Sequence, residues 1–537
     1  MHGLRQDVRF ALRAIRQQKG LSMAALLSLA LGIGATTALF SVAYGVLGRP
    51  LPYPEADRLV RLSEEHPGAQ AAFRGSLLTD HTLLAWQGQS STLEGIAVFG
   101  RSALIDTSGP ETVRLAGAAV SPSLFSLLRT RPASGRLLVA DDAREGAEPV
   151  IVISDGLFRE RFGPDPAGTA ASGATMTLDD VAYRVVGVTE PGFYFPDREA
   201  RFWTAYPEPP RPEGNSMAFF AAVGRLRPGA SAVQAAAEGT AAARSVERPP
   251  IADAVFGKGG PVEVRARPLL DEMTAGVRPA LSVLAVGVGF LLLICCANVA
   301  NLLLSRGVAR ERELAVRASL GASRRRVLRQ VVTESLVLAS LGGALGLGLC
   351  GALLAALPKL APENFPRLDD VALDGRALAF AVAASVATGL LAGLLPAWRA
   401  ARRDPLPALR EGSGASAGAR SMRLGGGLLV LEAALAVMLL VGSGLLIRSF
   451  ASLMAVDPGY DPGNVLLAQV YLSGEPEAER TRQLALDLVE RIGALPGVEA
   501  AGAGNMVPLS AATAVSQFEL PPSVTGGDPV TARAVTY

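Results

Sequence analysis

The hydrophobic pattern changes character along the chain. Five stretches stay predominantly apolar over the ~20 residues that a helix needs to cross a bilayer core. They are Leu21–Leu47, Ala280–Ser305, Val331–Leu357, Ala377–Trp398 and Gly425–Ile447. Between the first two, residues 48–279 break into short β-rich or alternating runs such as "ETVRLAGAAV" from Glu111, "PVIVIS" from Pro149 and "FFAAVGRL" from Phe219. "ATMTLDDVAYRVVGV", from Ala174, reads as a hairpin turning at Asp179-Asp180. Helical patterns interleave with these: "SPSLFSLLR", with Ser121 as cap and Pro122 in first position, and "SAVQAAAEGTAAARSVE" from Ser231. A region of this length buries its own core, here expected as two subdomains. The pattern thus predicts a multi-pass α-helical membrane protein with an α+β extracytoplasmic domain. The first span is long for a signal peptide and lacks a clean small-residue cleavage site, so it reads as a retained anchor.

Glu432 tests the fifth span. A central carboxylate costs roughly 2.5–3.5 kcal/mol on insertion, and each Leu, Val or Ile returns about 0.3–0.6. The twelve such residues in Gly425–Ile447 outweigh it. Glu432 is then either a polar contact inside a helix bundle or a carboxylate that reaches the headgroups. Asn298, Asn301 and Glu334 are the other intramembrane polar candidates.

Loop charge orients the spans. Residues 1–20 carry five basic residues against Asp7, net +4; residues 306–329 carry eight arginines against Glu311 and Glu313, net +6. Residues 399–424 carry six arginines against Asp404 and Glu411, net +4, whereas residues 358–376 have net charge −1. The positive-inside rule gives one answer. The basic segment 1–20 and the loops 306–330 and 399–424 face the cytoplasm, while residues 48–279, 358–376 and 452–537 lie outside.

The overall composition agrees with a part-membrane protein: half the residues are apolar and 19% are charged. Cys295, Cys296 and Cys350 sit in apolar runs and cannot staple an exported domain. His2, His66 and His81 lack ligand spacing, so neither a metal site nor a Cys–His nucleophile is expected. Gly257-Lys258-Gly259 lacks the spacing and hydroxyl of a phosphate loop. The adjacent acidic pairs Asp141-Asp142 and Asp179-Asp180 read as turn residues. The sequence gives no catalytic residue and no cofactor.

The stretch "RGVARERELAVRASLGASRRRVLR", from Arg306, has more structure than topology requires. It predicts a short interfacial helix, a stop at Gly321, and Ser323 as the cap of a helix that runs into the third span. Such a segment serves either as an anionic-lipid anchor, at about 1 kcal/mol per arginine, or as a lever for an attached motor.

The segment Cys296–Leu349, with "ANVANLLL", "RELAVRASLGAS" and "TESLVLASLGGALG", resembles the core of FtsX-like ABC permeases, closest to the MacB-type, acidobacterial-type duplicated permease branch. "RPLPYPEADRLVRL", "GRLLVADD", "PVIVISDGLFRERFG" and "YRVVGVTEPGFYFP" resemble the MacB-like periplasmic core domain. "PAWRAARRDPLPALREG" and "EAALAVMLLVGSGLLIRSF" fit the same branch. The resemblance implies an FtsX-like permease domain over 280–410 and a bacterial inner-membrane location. It implies a non-catalytic subunit under which a separate cytoplasmic ABC ATPase docks, with Arg312, Glu313, Leu314, Arg317, Gly321 and Ser323 as coupling residues. ATP work inside the cell would move the periplasmic domain (mechanotransmission), exporting an antibiotic, peptide or lipid-like substrate. Further partners implied are the bilayer, a second permease in a homo- or heterodimer, and a periplasmic adaptor, but no nucleic acid. The family has a second half, and residues 452–537 read as the start of its exported domain, as in a fragment of a longer permease. The competing expectation is an FtsX-like scaffold that activates a periplasmic enzyme; a neighbouring cell-wall hydrolase gene would favour it.

Overall fold

The computed structural model describes residues 2–66, 77–109, 112–163, 173–206, 217–250, 252, 256, 262–309, 324–361, 365, 367–402, 414–456, 463–468, 470, 478–504, 514–520 and 530–536. The chain divides into a helical unit (1–49 and 273–456) and an α+β unit (50–272 and 457–537). It opens with helix α1 (His2–Gln17), which breaks at Gln18, and continues as α2 (Lys19–Ala43) and a π-helical turn, Tyr44–Gly48.

In the α+β unit, strands β1 (Leu59–Glu65), β2 (Leu78–Thr79), β3 (Leu93–Asp106), β4 (Val113–Val120), β5 (Pro132–Gly135) and β6 (Val150–Ile153) come first. Strands β7 (Thr175–Leu178), β8 (Val181–Thr189), β9 (Phe202–Ala205), β10 (Phe219–Leu226) and β11 (Glu263–Pro268) complete one mixed sheet. Its main path runs β11-β1-β10-β3-β4-β9-β6-β8-β5, so strands from both ends of the segment pair at one edge. Helices α3 (Asp80–Gln87), α4 (Ser123–Leu128), α5 (Asp155–Phe162), α6 (Ala232–Ser245) and α7 (Leu269–Thr274) accompany it.

Two hydrophobic cores share one continuous sheet. The first gathers Val60, Leu62, Trp86, Val98 and Phe220; the second gathers Ile151, Phe158, Met176, Val185 and Phe202. The sheet is continuous because β3 is long enough to pair with β10 at its start and with β4 and β7 farther on.

Local chemistry explains the joints. Asp179 and Asp180 both take positive φ, 48° and 63°, as a two-residue hairpin turn of the primed type requires. Ser231 and Gln234 form a reciprocal capping box at the start of α6. Ser121 does not cap α4. Its hydroxyl accepts from the Val98 amide and pairs with Ser123, while Pro122 occupies the cap position.

Glu238 joins α6 to the α3–β3 turn. It accepts from Trp86 Nε1 at 2.9 Å, from the Ser91 amide and hydroxyl, and from the Thr92 amide. Burial pushes its carboxyl up, but the bonds from Ser90, Ser91 and Trp86 outweigh this and hold it at about 2. The carboxylate therefore stabilises the fold above its unfolded value near 4.3, and that contribution fades as pH falls towards 2. With solvent screening of a partly exposed group, Glu238→Gln costs about 1–2 kcal/mol at neutral pH. Urea melts of the variant and wild type are expected to converge as pH drops below 4; parallel melts at every pH would refute this assignment.

The helical unit adds α8 (Arg278–Ala309), α9 (Arg324–Leu360), α10 (Gly375–Arg402) and α11 (Gly414–Met454). Among the described residues, five helical stretches, Lys19–Gly48, Arg278–Leu304, Leu328–Leu360, Gly375–Leu394 and Gly426–Met454, are long and apolar enough to cross a membrane. Beyond them lie α12 (Ala478–Gly493) and a hairpin of β12 (Ala514–Leu520) and β13 (Val530–Thr536).

Candidate functional site

The helical unit is organised around α2, whose apolar window is 50% buried, against 6% for that of α11. Small residues let its neighbours close in. A Cβ on Gly34 would lie 2.8 Å from the Gly346 carbonyl oxygen of α9, and one on Gly32 would lie 2.9 Å from Cys295 Sγ of α8. A Cβ on Gly343 of α9 or on Gly393 of α10 would overlap the hydroxyl of Ser385 or Ser335, respectively. Bilayer-spanning helices associate through such dispersion contacts because lipid supplies no hydrophobic drive between them. Buried hydroxyls are satisfied within their own helices: Thr37 donates to the Ile33 carbonyl at 2.7 Å, and Ser385 to the Ala381 carbonyl at 2.8 Å.

The arginine loop joins α8 to α9. The six coupling candidates Arg312, Glu313, Leu314, Arg317, Gly321 and Ser323 lie outside the described residues. Both flanks of the loop are described. α8 is one helix of 32 residues ending at Ala309, and α9 is one helix of 37 residues starting at Arg324. At ~1.5 Å per residue both exceed the hydrocarbon thickness.

A feature missed from the sequence sits at the mouth of α9. Arg329 Nε donates to Asp7 Oδ2 of α1 at 2.8 Å, and the Asp7 side chain is only 9% exposed. Helix α1 packs Ala11 and Ala14 on the same side, with Val8 and Ile15 partly covered, while Arg9, Arg13 and Arg16 are exposed. The spacing of Val8, Ala11, Ala14 and Ile15 was the available signal. Counting this segment only as basic charge hid it.

The intramembrane polar candidates lie on three helices. Asn298 and Asn301 are half-buried on α8, beside the core residues Val299, Ala300 and Leu303. Glu334 is buried on α9 next to Ser335, and Glu432 is half-buried on α11. Among the described residues there is no group of three or more His, Cys, Asp or Glu side chains that could hold a metal ion.

Where the first span enters the α+β unit, the family-like segments meet. The Tyr53 hydroxyl donates to the Tyr194 carbonyl, and Trp203 Nε1 donates to the Phe195 carbonyl at 2.7 Å. Arg225 is 1% exposed and donates to the carbonyls of Leu127 (2.6 Å), Pro54 (3.0 Å) and Glu55 (3.2 Å). "LPYPEADR" and "GFYFP" are thus packing and anchoring segments.

Comparison with known proteins places these elements. Residues 22–242 match the model of the MacB-like periplasmic core domain, and residues 285–405 match that of the FtsX-like permease C-terminal region. An uncharacterized ABC transporter permease, YknZ of Bacillus subtilis, is 32% identical over 145 residues, 26% of this chain and 35% of the relative. The macrolide export ATP-binding/permease protein MacB of Rhodopseudomonas palustris is 28% identical over 293 residues, 54% of this chain and 42% of that protein. The chain therefore spans well under two thirds of the length of these relatives. The crystal structure of the periplasmic region of MacB from Actinobacillus actinomycetemcomitans aligns at 14% identity with a TM-score of 0.30, covering 45% of this chain and 97% of that one. With its five apolar helices and both domain types in one polypeptide, this chain is a multi-pass membrane protein that belongs to the MacB/FtsX-like family of ABC transporter permeases.

Proposed function

We propose that this chain is the transmembrane subunit that converts ATP hydrolysis by a separate cytoplasmic ATPase into motion of an extracytoplasmic α+β domain, in the service of exporting an antibiotic, peptide or lipid-like substrate. One observation carries the reading: α9, which begins beside the arginine loop, meets α2 backbone to backbone at Gly346 and Gly34. α2 in turn runs covalently through Tyr44–Gly48 into the α+β unit. A push on the loop is then delivered to a stiff helix that cannot slide past α2 without separating from it. Positive-inside charge puts the loop, α1 and the N-terminus in the cytoplasm of a bacterial inner membrane and the α+β unit in the periplasm. The exposed α11 is suited to contact a second permease chain, and a periplasmic adaptor would complete the export route.

Arg317→Glu combined with Gly321→Glu tests the lever. The variant is expected to insert normally, to lose co-purification of the ATPase, and to lose its stimulation by about five-fold or more. Unchanged ATPase recovery and activity would reassign the loop to a lipid-anchoring role.

A further inference from the structure

His66 and His81, 15 residues apart in sequence, line one small pocket of the α+β unit together with Glu64, Thr79, Thr82, Met217, Arg248 and Phe256. Its floor is ordered by hydrogen bonds. Glu64 is buried, and its Oε1 accepts from the Thr79 amide at 2.8 Å and the Thr79 hydroxyl at 2.7 Å. Its Oε2 lies 3.1 Å from His66 Nε2. Burial raises the Glu64 carboxyl, but these bonds prevail and keep it below the usual value. An ionised carboxylate only accepts, so Nε2 of His66 carries the hydrogen, and in the neutral ring Nδ1 carries the lone pair. That atom faces Arg248 Nη1 at 3.5 Å, and a guanidinium only donates. The opposite face of the ring stacks on Phe256, with centroids 3.5 Å apart.

We infer that the Nδ1 lone pair of His66 is a proton-controlled latch: it holds either Arg248 or a proton, never both. In the neutral state it retains Arg248 and with it residues 246–250, which follow α6. A proton on Nδ1 turns the acceptor into a second donor facing the guanidinium. The imidazolium keeps Glu64 as its partner, so the ring stays and the segment bearing Arg248 is released. Among the described residues, the charged and titratable groups around the ring are Glu64 near the end of β1, Asp80 and His81 at the start of α3, and Arg248 from beyond α6. His81 Nδ1 is bonded to Asp80 Oδ1 at 2.8 Å, so this second ring is held by its own carboxylate partner. Glu65 turns away and pairs with Arg265 at 2.5 Å. The latch belongs to the α+β unit alone and stands whether or not an ATPase drives the helical unit.

Hydrogen exchange of the full chain in nanodiscs, between pH 8 and pH 4.5 and corrected for intrinsic exchange, tests it. Peptides from β4 and β9 serve as internal reference. Protection of the peptide that carries Arg248 and the Ala252 amide, which donates to the Pro249 carbonyl at 2.9 Å, is expected to fall about five-fold between pH 8 and pH 4.5, the scale of one lost hydrogen bond, while the reference stays constant. His66→Gln should abolish the pH dependence, and His81→Gln should keep it. Arg248→Met should leave the segment weakly protected at every pH, which keeps the proposal testable if His66→Gln fails to fold. A wild type without pH response down to 4.5, or a His66→Gln or Arg248→Met variant that responds like wild type, would overturn it.

Discussion

Arg225→Met lowers the stability of the α+β unit by about 3 kcal/mol, or roughly 6–12 °C in melting temperature for a domain of this size. The guanidinium bonds three backbone carbonyls from two segments: Pro54 and Glu55, just after the first span, and Leu127, at the end of α4. Each carbonyl left unpaired in the interior costs about 1–3 kcal/mol. Removing a buried charge offsets several kcal/mol of that. Burial already pushes the Arg225 guanidinium below its usual value, and Arg129 adds to this. The difference still favours arginine, because methionine fills the volume and donates to none of the three. Arg225→Lys recovers only part, since one ammonium on a single stem cannot span both segments. Trp86 and Trp203 are both buried in this unit, so intrinsic fluorescence follows its melting. Arg227→Met, two residues along and exposed, is the matched control and should shift the midpoint little. Equal midpoints for the Arg225 and Arg227 variants would remove the anchoring role.

How far such features could be read from sequence depends on how local their physics is. The five apolar runs, the Asp179-Asp180 turn and the helix from Ser231 are decided by residues near in sequence, and each appears where its pattern put it. Sheet order is non-local: nothing in "VRARP" says that β11 closes the edge beside β1, some 200 residues earlier. Arg225 was hidden for the same reason. In "FFAAVGRL" it passes for a strand-end charge, and only the folded loops around it show why a buried cation is retained. His66 and His81 carry no ligand spacing, yet both line one pocket. At the arginine loop the limit is different. The coupling role of Arg312 to Ser323 rests on resemblance, and the structure adds the two long helices that flank them and the Asp7 contact that ties α1 to Arg329.

Gly34→Val is expected to disrupt the helical unit, whereas Gly348→Val is expected to leave it unchanged. Both substitutions add a side chain to a helix predominantly apolar along its length, and both gain the ~1 kcal/mol by which glycine is a poor helix former, less the small penalty of β-branching. Their surroundings differ. The Cβ of residue 34 meets the Gly346 carbonyl oxygen at 2.8 Å and its Cα at 3.2 Å, both backbone atoms that no rotamer change can move. At Gly348 a Cβ meets nothing within 4 Å. Overpacking costs about 1–3 kcal/mol where side chains can adjust, and separating two helices held by close backbone contact forfeits dispersion along their whole seam. The loss at Gly34 therefore exceeds the propensity gain. Thermal scans and size-exclusion profiles in detergent should show the Gly34 variant melting well below wild type, with the Gly348 variant superimposable. Under the proposed lever, the Gly34 variant should still co-purify with the ATPase but no longer stimulate its turnover. Matching melts for the two valine variants would mean that α2 and α9 are not locked at this point, and the lever would have to run through other helices.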